Sequence, residues 1–390
     1  MSTSYYIWPN EVHFGYGTVA KVGPSAKAEG ATHVFVLADP GVVAAKLVDP
    51  ILASLQNAGL AYTLYNKVEP NPSDTSVDAA VAAYRASEAD LIVGVGGGSG
   101  LDTAKALMLV AGGPVDGKVA EYAYRMGDKA RPCPKVLPSF IAIPTTAGTG
   151  AEATSWAVIT DPVAKMKFGV GHPRSMPTIA IIDPELMLGL PPFLTAATGM
   201  DALSHCIEAY VSKNWNPMLD AMALQGIRLI AQSLPVAVAQ GDNRQAREDM
   251  AHAAFIGGVA ISSKWLGACH SLAHQLSSLA NVHHGLACSL MLPHQMGYSL
   301  PGAIERYAAV AEALGVPTTG SLRQRAERGI EAVTQLAKDC NLPTCLSDVN
   351  VPESVIPTMA KYAYTVDSNW WTNPRSVNEK VMEQLYRAAF

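Results

Sequence analysis

Residues 91–110 read LIVGVGGGSGLDTAKALMLV: an apolar run, closely spaced glycines at Gly94, Gly96, Gly97 and Gly98, then Ser99 and an amphipathic stretch of helical period. A short apolar run ending in glycine suits a strand buried on both faces, and such strands belong to parallel sheets. Glycines let a backbone approach a phosphate, and the free amides at a helix N-terminus favour an anion. The usual dinucleotide fingerprint is not matched, because Gly94, Gly96 and Gly97 are followed by Gly98 and Ser99 instead of the expected later glycine, and no P-loop Lys-Ser/Thr follows. On glycine content alone a tight structural turn explains the stretch as well as a phosphate does.

Working outward, the same strand-like signal recurs in THVFVLAD (32–39), AYTLYN (61–66), SFIAIPTT (139–146) and IAIID (179–183), separated by segments of helix length. Crossover connections of that kind imply a largely parallel, doubly wound sheet. From about Leu190 the pattern changes to apolar residues at helical spacing, as in PMLDAMALQGIRLIAQSL, with no convincing strand. The expected organisation is an α/β domain over 1–188 and an all-α domain over 189–390, with the break at DPELMLGLPP (183–192). Two further features support a nucleotide. PTTAGTGAEAT (144–154) is rich in hydroxyls and glycines, and Asp39, ending its strand, is placed to accept from a ribose 2′-hydroxyl.

The chain has 390 residues, 49% hydrophobic and 16% charged, with a formal charge of −5. No run of Lys and Arg follows a phosphate backbone, so nucleic acid is not an expected partner. No signal-peptide pattern opens the sequence and no apolar stretch runs uninterrupted for about 18 residues, so a cytoplasmic protein with no membrane partner is expected. Six cysteines without a CxxC pair read as free thiols, and cysteine is not expected among metal ligands.

TGMDALSHCIEAY (198–210) is apolar enough for a buried helix, yet Asp201 and His205 stand four residues apart on one face. A single such pair is most simply a hydrogen bond between two buried polar groups. ACHSLAHQLSSLANVHHGLACSLMLPH (268–294) repeats the spacing at His270 and His274 and adds His283 and His284. That many imidazoles in apolar helices exceed what chance pairing accounts for. A divalent metal satisfies several at once, with nitrogen and oxygen donors that suit ferrous iron or zinc better than calcium or magnesium.

The set GGGSGLDTAK, PTTAGTG, DPEL, TAATGMDALSHCIEAY, HSLAH, HHG, LPH and TNPR resembles the iron-dependent alcohol dehydrogenases, from about Gly15 to the C-terminus. The resemblance implies an N-terminal α/β nucleotide-binding domain and a helical metal-binding domain. It assigns Asp201, His205, His270 and His284 as metal ligands, with Fe2+ first and Zn2+ second, and His274 as a non-ligand histidine beside the substrate. It assigns Gly97, Gly98 and Ser99 to a pyrophosphate loop and Thr145, Thr146 and Thr149 to a cofactor-contacting loop, with Asn71 and Lys167 as further nucleotide contacts. Asp39 matches the position that favours NAD(H) over NADP(H). The implied reaction is reversible hydride transfer between a small primary alcohol and NAD(H), in a homodimer or higher homo-oligomer, with His274 relaying the hydroxyl proton. The rivals are a glycerol dehydrogenase-like polyol oxidoreductase and a metal-stabilised NAD-binding protein without turnover. Within SSKWLG (262–267), Lys264 either snorkels to solvent or faces the substrate, where it would favour an anionic aldehyde.

Overall fold

The computed structural model describes residues 4, 6–8, 11–124 and 130–390. The strands are β1 (Glu11–Phe14), β2 (His33–Ala38), β3 (Ala61–Tyr65), β4 (Leu91–Gly96), β5 (Ala123–Tyr124), β6 (Ser139–Pro144), β7 (Trp156–Asp161), β8 (Met166–Gly171) and β9 (Ile179–Ile182). The helices interleaved with them are α1 (Val22–Ala28), α2 (Pro40–Ala44), α3 (Asp49–Asn57), α4 (Asp74–Ser87) and α5 (Gly98–Ala111). After β9 follow α6 (Pro192–Val211), α7 (Pro217–Ala239), α8 (Arg244–Lys264), α9 (Ala268–Leu279), α10 (His284–Ser299), α11 (Ile304–Ala313), α12 (Leu322–Asp339), α13 (Ile356–Thr365) and α14 (Glu379–Ala388). By compactness the chain divides into a unit of Ile7–Thr146 with Gly150–Met187, and a unit of Leu188–Phe390 that also takes Ala147–Thr149.

The first unit is built on a six-stranded parallel sheet in the order β1-β9-β6-β4-β2-β3. Alternation within the central strands explains how both faces are filled. Phe35, Leu37, Ile92 and Phe140 join one apolar cluster with residues of α4 and α5, whereas Val34, Val36, Val93, Val95 and Ile141 join a second with residues of α1 and α3. From β2 the chain moves outward to β3, and from β4 it moves the other way to β6, so the strand order reverses between β2 and β4. In doubly wound sheets ligands bind at the carboxyl ends of the strands flanking such a reversal. Here those ends carry Asp39 and the glycines from Gly96. A second sheet, β5-β8-β7, is antiparallel and was not anticipated; WAVITD and MKFGVG pair as a hairpin across Pro162–Lys165.

Helices α6–α14 make up the second unit, which contains no strand among its described residues. Helix α6 is buried along nearly its whole length and packs against α7, α8 and α10. Helix α7 is long and apolar enough to span a membrane by length and composition. In the fold it lies against α6 and α8, and its Asp220 enters an ion-pair network with Lys264 and Arg306.

Candidate functional site

Within the helical unit, three helices bring their polar side chains to one point. Asp201 and His205 share a face of α6, His270 and His274 share a face of α9, and His284 opens α10. The Nε2 atoms of His205, His270 and His284 lie 3.6, 3.5 and 3.6 Å from the same oxygen, Oδ1 of Asp201. Each separation is too long for a normal hydrogen bond, and this carboxylate oxygen is buried with no hydrogen-bond partner. An orphaned carboxylate oxygen in a fully buried position is costly. Two nitrogen or oxygen donors sharing one tetrahedral ion at about 2.1 Å would stand about 3.4 Å apart. The spacing and the donor chemistry therefore fit a divalent ion.

The protonation states agree with this for two of the donors. Burial pushes the Asp201 carboxyl up, but the surrounding imidazoles of His205, His284 and His270 outweigh it and hold the pKa far below the carboxylate range. Burial lowers His205 to about 4, against the opposing pull of Asp201, so this imidazole is neutral at pH 7. His270 goes the other way: burial would lower its pKa, but Cys288, Glu208 and Asp201 raise it well above the ordinary histidine value.

Two carboxylates that the sequence reading missed hold the α9 histidines. Glu208 Oε2 lies 2.5 Å from His270 Nδ1, while its Oε1 accepts from the Cys269 amide at 2.8 Å. Asp367 Oδ2 lies 2.6 Å from His274 Nδ1, and its Oδ1 accepts from the Ser271 hydroxyl and the Asn369 amide, both at 2.8 Å. A carboxylate behind each Nδ1 fixes the proton there and turns Nε2 forward. The His274 ring stacks on His284 with centroids 5.3 Å apart, which places it directly beside the donor group. Glu208 sits seven residues after Asp201 on α6, so helical spacing was the available signal; Asp367 offered none.

The mutually close donor set comprises Asp201, His270, His284 and Cys288, all within 4.8 Å of one another. Cys288, a free thiol like the other five cysteines, stands four residues after His284 on α10 and so reaches this set. His283 is exposed and packs edge-on against Phe193, so it is not one of the buried imidazoles. Lys264 is also corrected. Its side chain is fully buried at the end of α8, where Nζ is bonded to Asp220, which also pairs with Arg306 at 2.8 Å. Neither solvent nor a substrate is its partner.

In the sheet unit, Gly96 has φ +151°, a backbone region that favours glycine, and Gly97 caps α5. A Cβ at Gly97 would lie 3.2 Å from the Thr146 side chain, so Thr146 closes over the loop. The Thr145 amide donates to Gly96 O at 3.0 Å. The Asn71 amide donates to Ser99 Oγ at 3.2 Å, and Lys167 Nζ donates to Asn71 Oδ1 at 3.0 Å, so these three form one chain of contacts beside Gly98. Asp39 has a structural duty as well: its Oδ1 accepts from the amides of Gly41 and Val42 as the N-cap of α2. Thr149 clusters with the helical unit, apart from Thr145 and Thr146.

Comparison with known proteins matches residues 9–184 to the family model described as iron-containing alcohol dehydrogenase. Residues 195–390 match the model described as the C-terminal part of the Fe-containing alcohol dehydrogenase family. Over 388 residues the chain is 41% identical to 1,3-propanediol dehydrogenase of Klebsiella pneumoniae, covering 99% of this chain and 98% of that one. It is 38% identical over 388 residues to NAD-dependent methanol dehydrogenase of Bacillus methanolicus, covering 99% and 100%. Among solved structures, a 1,3-propanediol oxidoreductase superposes with a TM-score of 0.94 at 41% identity over 100% of both chains. The sulfoacetaldehyde reductase of Bifidobacterium kashiwanohense in complex with NAD+ gives 0.89 at 28% identity, over 100% of this chain and 99% of that one.

Proposed function

The chain belongs to the iron-containing alcohol dehydrogenase family, and from that premise we propose which of its residues carry out the reaction and on what substrate. It is an NAD-dependent alcohol dehydrogenase and aldehyde reductase, an oxidoreductase acting on CH–OH. The proposed substrate is a small primary alcohol or its aldehyde, in keeping with relatives named for 1,3-propanediol, methanol and lactaldehyde.

Asp201, His205, His270 and His284 would hold the ion, with Fe2+ as the proposed metal and Zn2+ as the alternative. The observation that carries this is the convergence of three Nε2 atoms on the unpartnered Oδ1 of Asp201. When bound, the ion supplies Lewis acidity towards an alcohol or carbonyl oxygen, and NAD(H) takes up or returns a hydride. The chain's residues prepare and complete that exchange. Glu208 holds His270 by Nδ1 so that Nε2 faces Asp201. Asp367, acting as acceptor, keeps the His274 proton on Nδ1 and leaves Nε2 as a base; in oxidation His274 accepts the hydroxyl proton there, and in reduction it returns it.

For the dinucleotide, the amides of Gly97, Gly98 and Ser99 at the start of α5 would take the pyrophosphate. The Thr145, Thr146 and Thr149 hydroxyls, Asn71 and Lys167 would supply further contacts, and Asp39 would accept from the adenosine ribose. The reading also includes a soluble, cytoplasmic enzyme that works as a homodimer or higher homo-oligomer. The test is NADH formation from a panel of alcohols before and after chelation: primary diols and short primary alcohols should be oxidised, and activity should vanish with the metal and return on anaerobic reloading. Unchanged turnover in the metal-free protein would refute it.

A further inference from the structure

We propose that Cys288 is a thiolate donor to the metal, an additional ligand beside the Asp201 carboxylate and the imidazoles. The inference rests on the metal reading given above and extends it.

Helix α10 places Cys288 one turn after His284, so sulfur and imidazole leave the helix on the same side. Cys288 Sγ is 3.7 Å from the Nε2 of His270 and 3.7 Å from the Nε2 of His284. A sulfur at about 2.3 Å and a nitrogen at about 2.1 Å from one ion would be about 3.1 to 3.6 Å apart for bond angles from about 90° to the tetrahedral value, a range that admits a five-donor set. The sulfur therefore keeps ligand spacing to two imidazoles at once. Independently, a carboxylate oxygen of Asp201 lies within 4.8 Å of this sulfur, and Asp201 Oδ1 is buried and receives no hydrogen bond. The neighbouring thiol is differently employed: Cys269 Sγ donates to Cys288 O at 3.5 Å. Of the six free cysteines, Cys288 alone joins the donor set.

The chemistry is a simple exchange. A metal–sulfur bond forms, the S–H bond breaks, and the proton is released to solvent, with no change in oxidation state. A thiolate is a softer donor than carboxylate or imidazole and biases the site towards Zn2+ and Co2+ relative to an all-nitrogen-and-oxygen set.

The experiment loads metal-stripped, full-length protein with Co2+ under anaerobic conditions and records cobalt stoichiometry together with near-ultraviolet absorption. Expected is one Co2+ per chain with a sulfur-to-cobalt charge-transfer band; Cys288→Ser keeps the stoichiometry, loses the band and gives up Co2+ to a chelator at least about 10-fold faster, on the scale of losing one supporting group. Cys269→Ser keeps the band. A loaded wild type without the band, or a band that survives in Cys288→Ser, overturns the proposal and leaves the thiol a hydrogen-bond neighbour of the histidines. Failure of the wild type to bind Co2+ at all refutes the metal reading itself, and the assignment of Cys288 with it. X-ray absorption of the Zn2+-loaded wild type needs no variant: a sulfur scatterer at about 2.3 Å supports the ligand, and a shell of light atoms alone refutes it.

Discussion

Glu208 shows how one residue can govern a site it does not face. It holds the His270 ring at 2.5 Å and the first turn of α9 through the Cys269 amide. Glu208→Gln retains the shape but removes the charge behind the proposed ligand His270, and metal affinity measured by chelator competition should fall about 10- to 100-fold. Unchanged affinity would make Glu208 a packing residue. Lys264 gives the opposite kind of prediction. Lys264→Ala strands Asp220 in the core with Arg306 as its remaining cation, so the variant should lose about 3 kcal/mol of stability in denaturant unfolding. Its specificity constants for an anionic and a neutral aldehyde of equal length should change by the same factor; a selective loss on the anion would contradict the buried placement. The histidines were legible because residues four apart fall on nearly the same face of a helix of about 3.6 residues per turn, and i, i+4 pairs of polar residues in apolar helices stand out in a sequence. Asp367 was not, because it meets His274 only through tertiary packing, 93 residues away. Cys288 obeys the same spacing as the histidines, but a lone cysteine in an apolar helix reads as an ordinary small core residue, so the sequence does not set it apart.

At the scale of elements, the strand, glycine turn and helix around β4 and α5 were readable because a doubly buried strand has no polar face to confuse the pattern. The β7–β8 hairpin was not, since its strands alternate over short lengths and carry a partly exposed face. Asp39 joins the two functions of such a turn, capping α2 while standing at the strand-order reversal. Asp39→Gly should cost only a few tenths of a kcal/mol as a cap, which makes it the cleaner substitution than Asp39→Ala. Its expected effect is a rise in the NADPH to NADH ratio of specificity constants; a ratio equal to that of the wild type would remove Asp39 from cofactor selection. In the helical unit, Gly285 lets α10 approach α6. A Cβ there would come within 2.2 Å of Ala197 O, so Gly285→Ala has to push the start of α10, and His284 with it, away from Asp201. Bound metal per chain should drop in a protein that keeps its helical circular dichroism. Full metal occupancy in that variant would show that the close approach is not needed to set the ligand spacing.

For the molecule as a whole, the sheet unit and the helical unit divide the work. One carries the glycine turn and hydroxyl-rich loop proposed for the nucleotide; the other carries a buried cluster of donors around Asp201 Oδ1, which has no hydrogen-bond partner. The change of periodicity near residue 190 made that division visible in the sequence, because period-two and helical patterns cannot occupy the same segment. The substrate was not visible, since pocket shape depends on side chains brought together from many elements. The central claim is that dehydrogenase activity depends on a metal held at Asp201, His205, His270 and His284. Its most direct test is a titration of the metal-stripped enzyme with Fe2+ under anaerobic conditions, following NADH formation from 1,3-propanediol in wild type and in His270→Ala. The account predicts activity rising from background to a plateau at one equivalent per chain in the wild type, and no rise at that stoichiometry in His270→Ala. Full activity in the stripped wild type, or an unchanged titration in the variant, would contradict it.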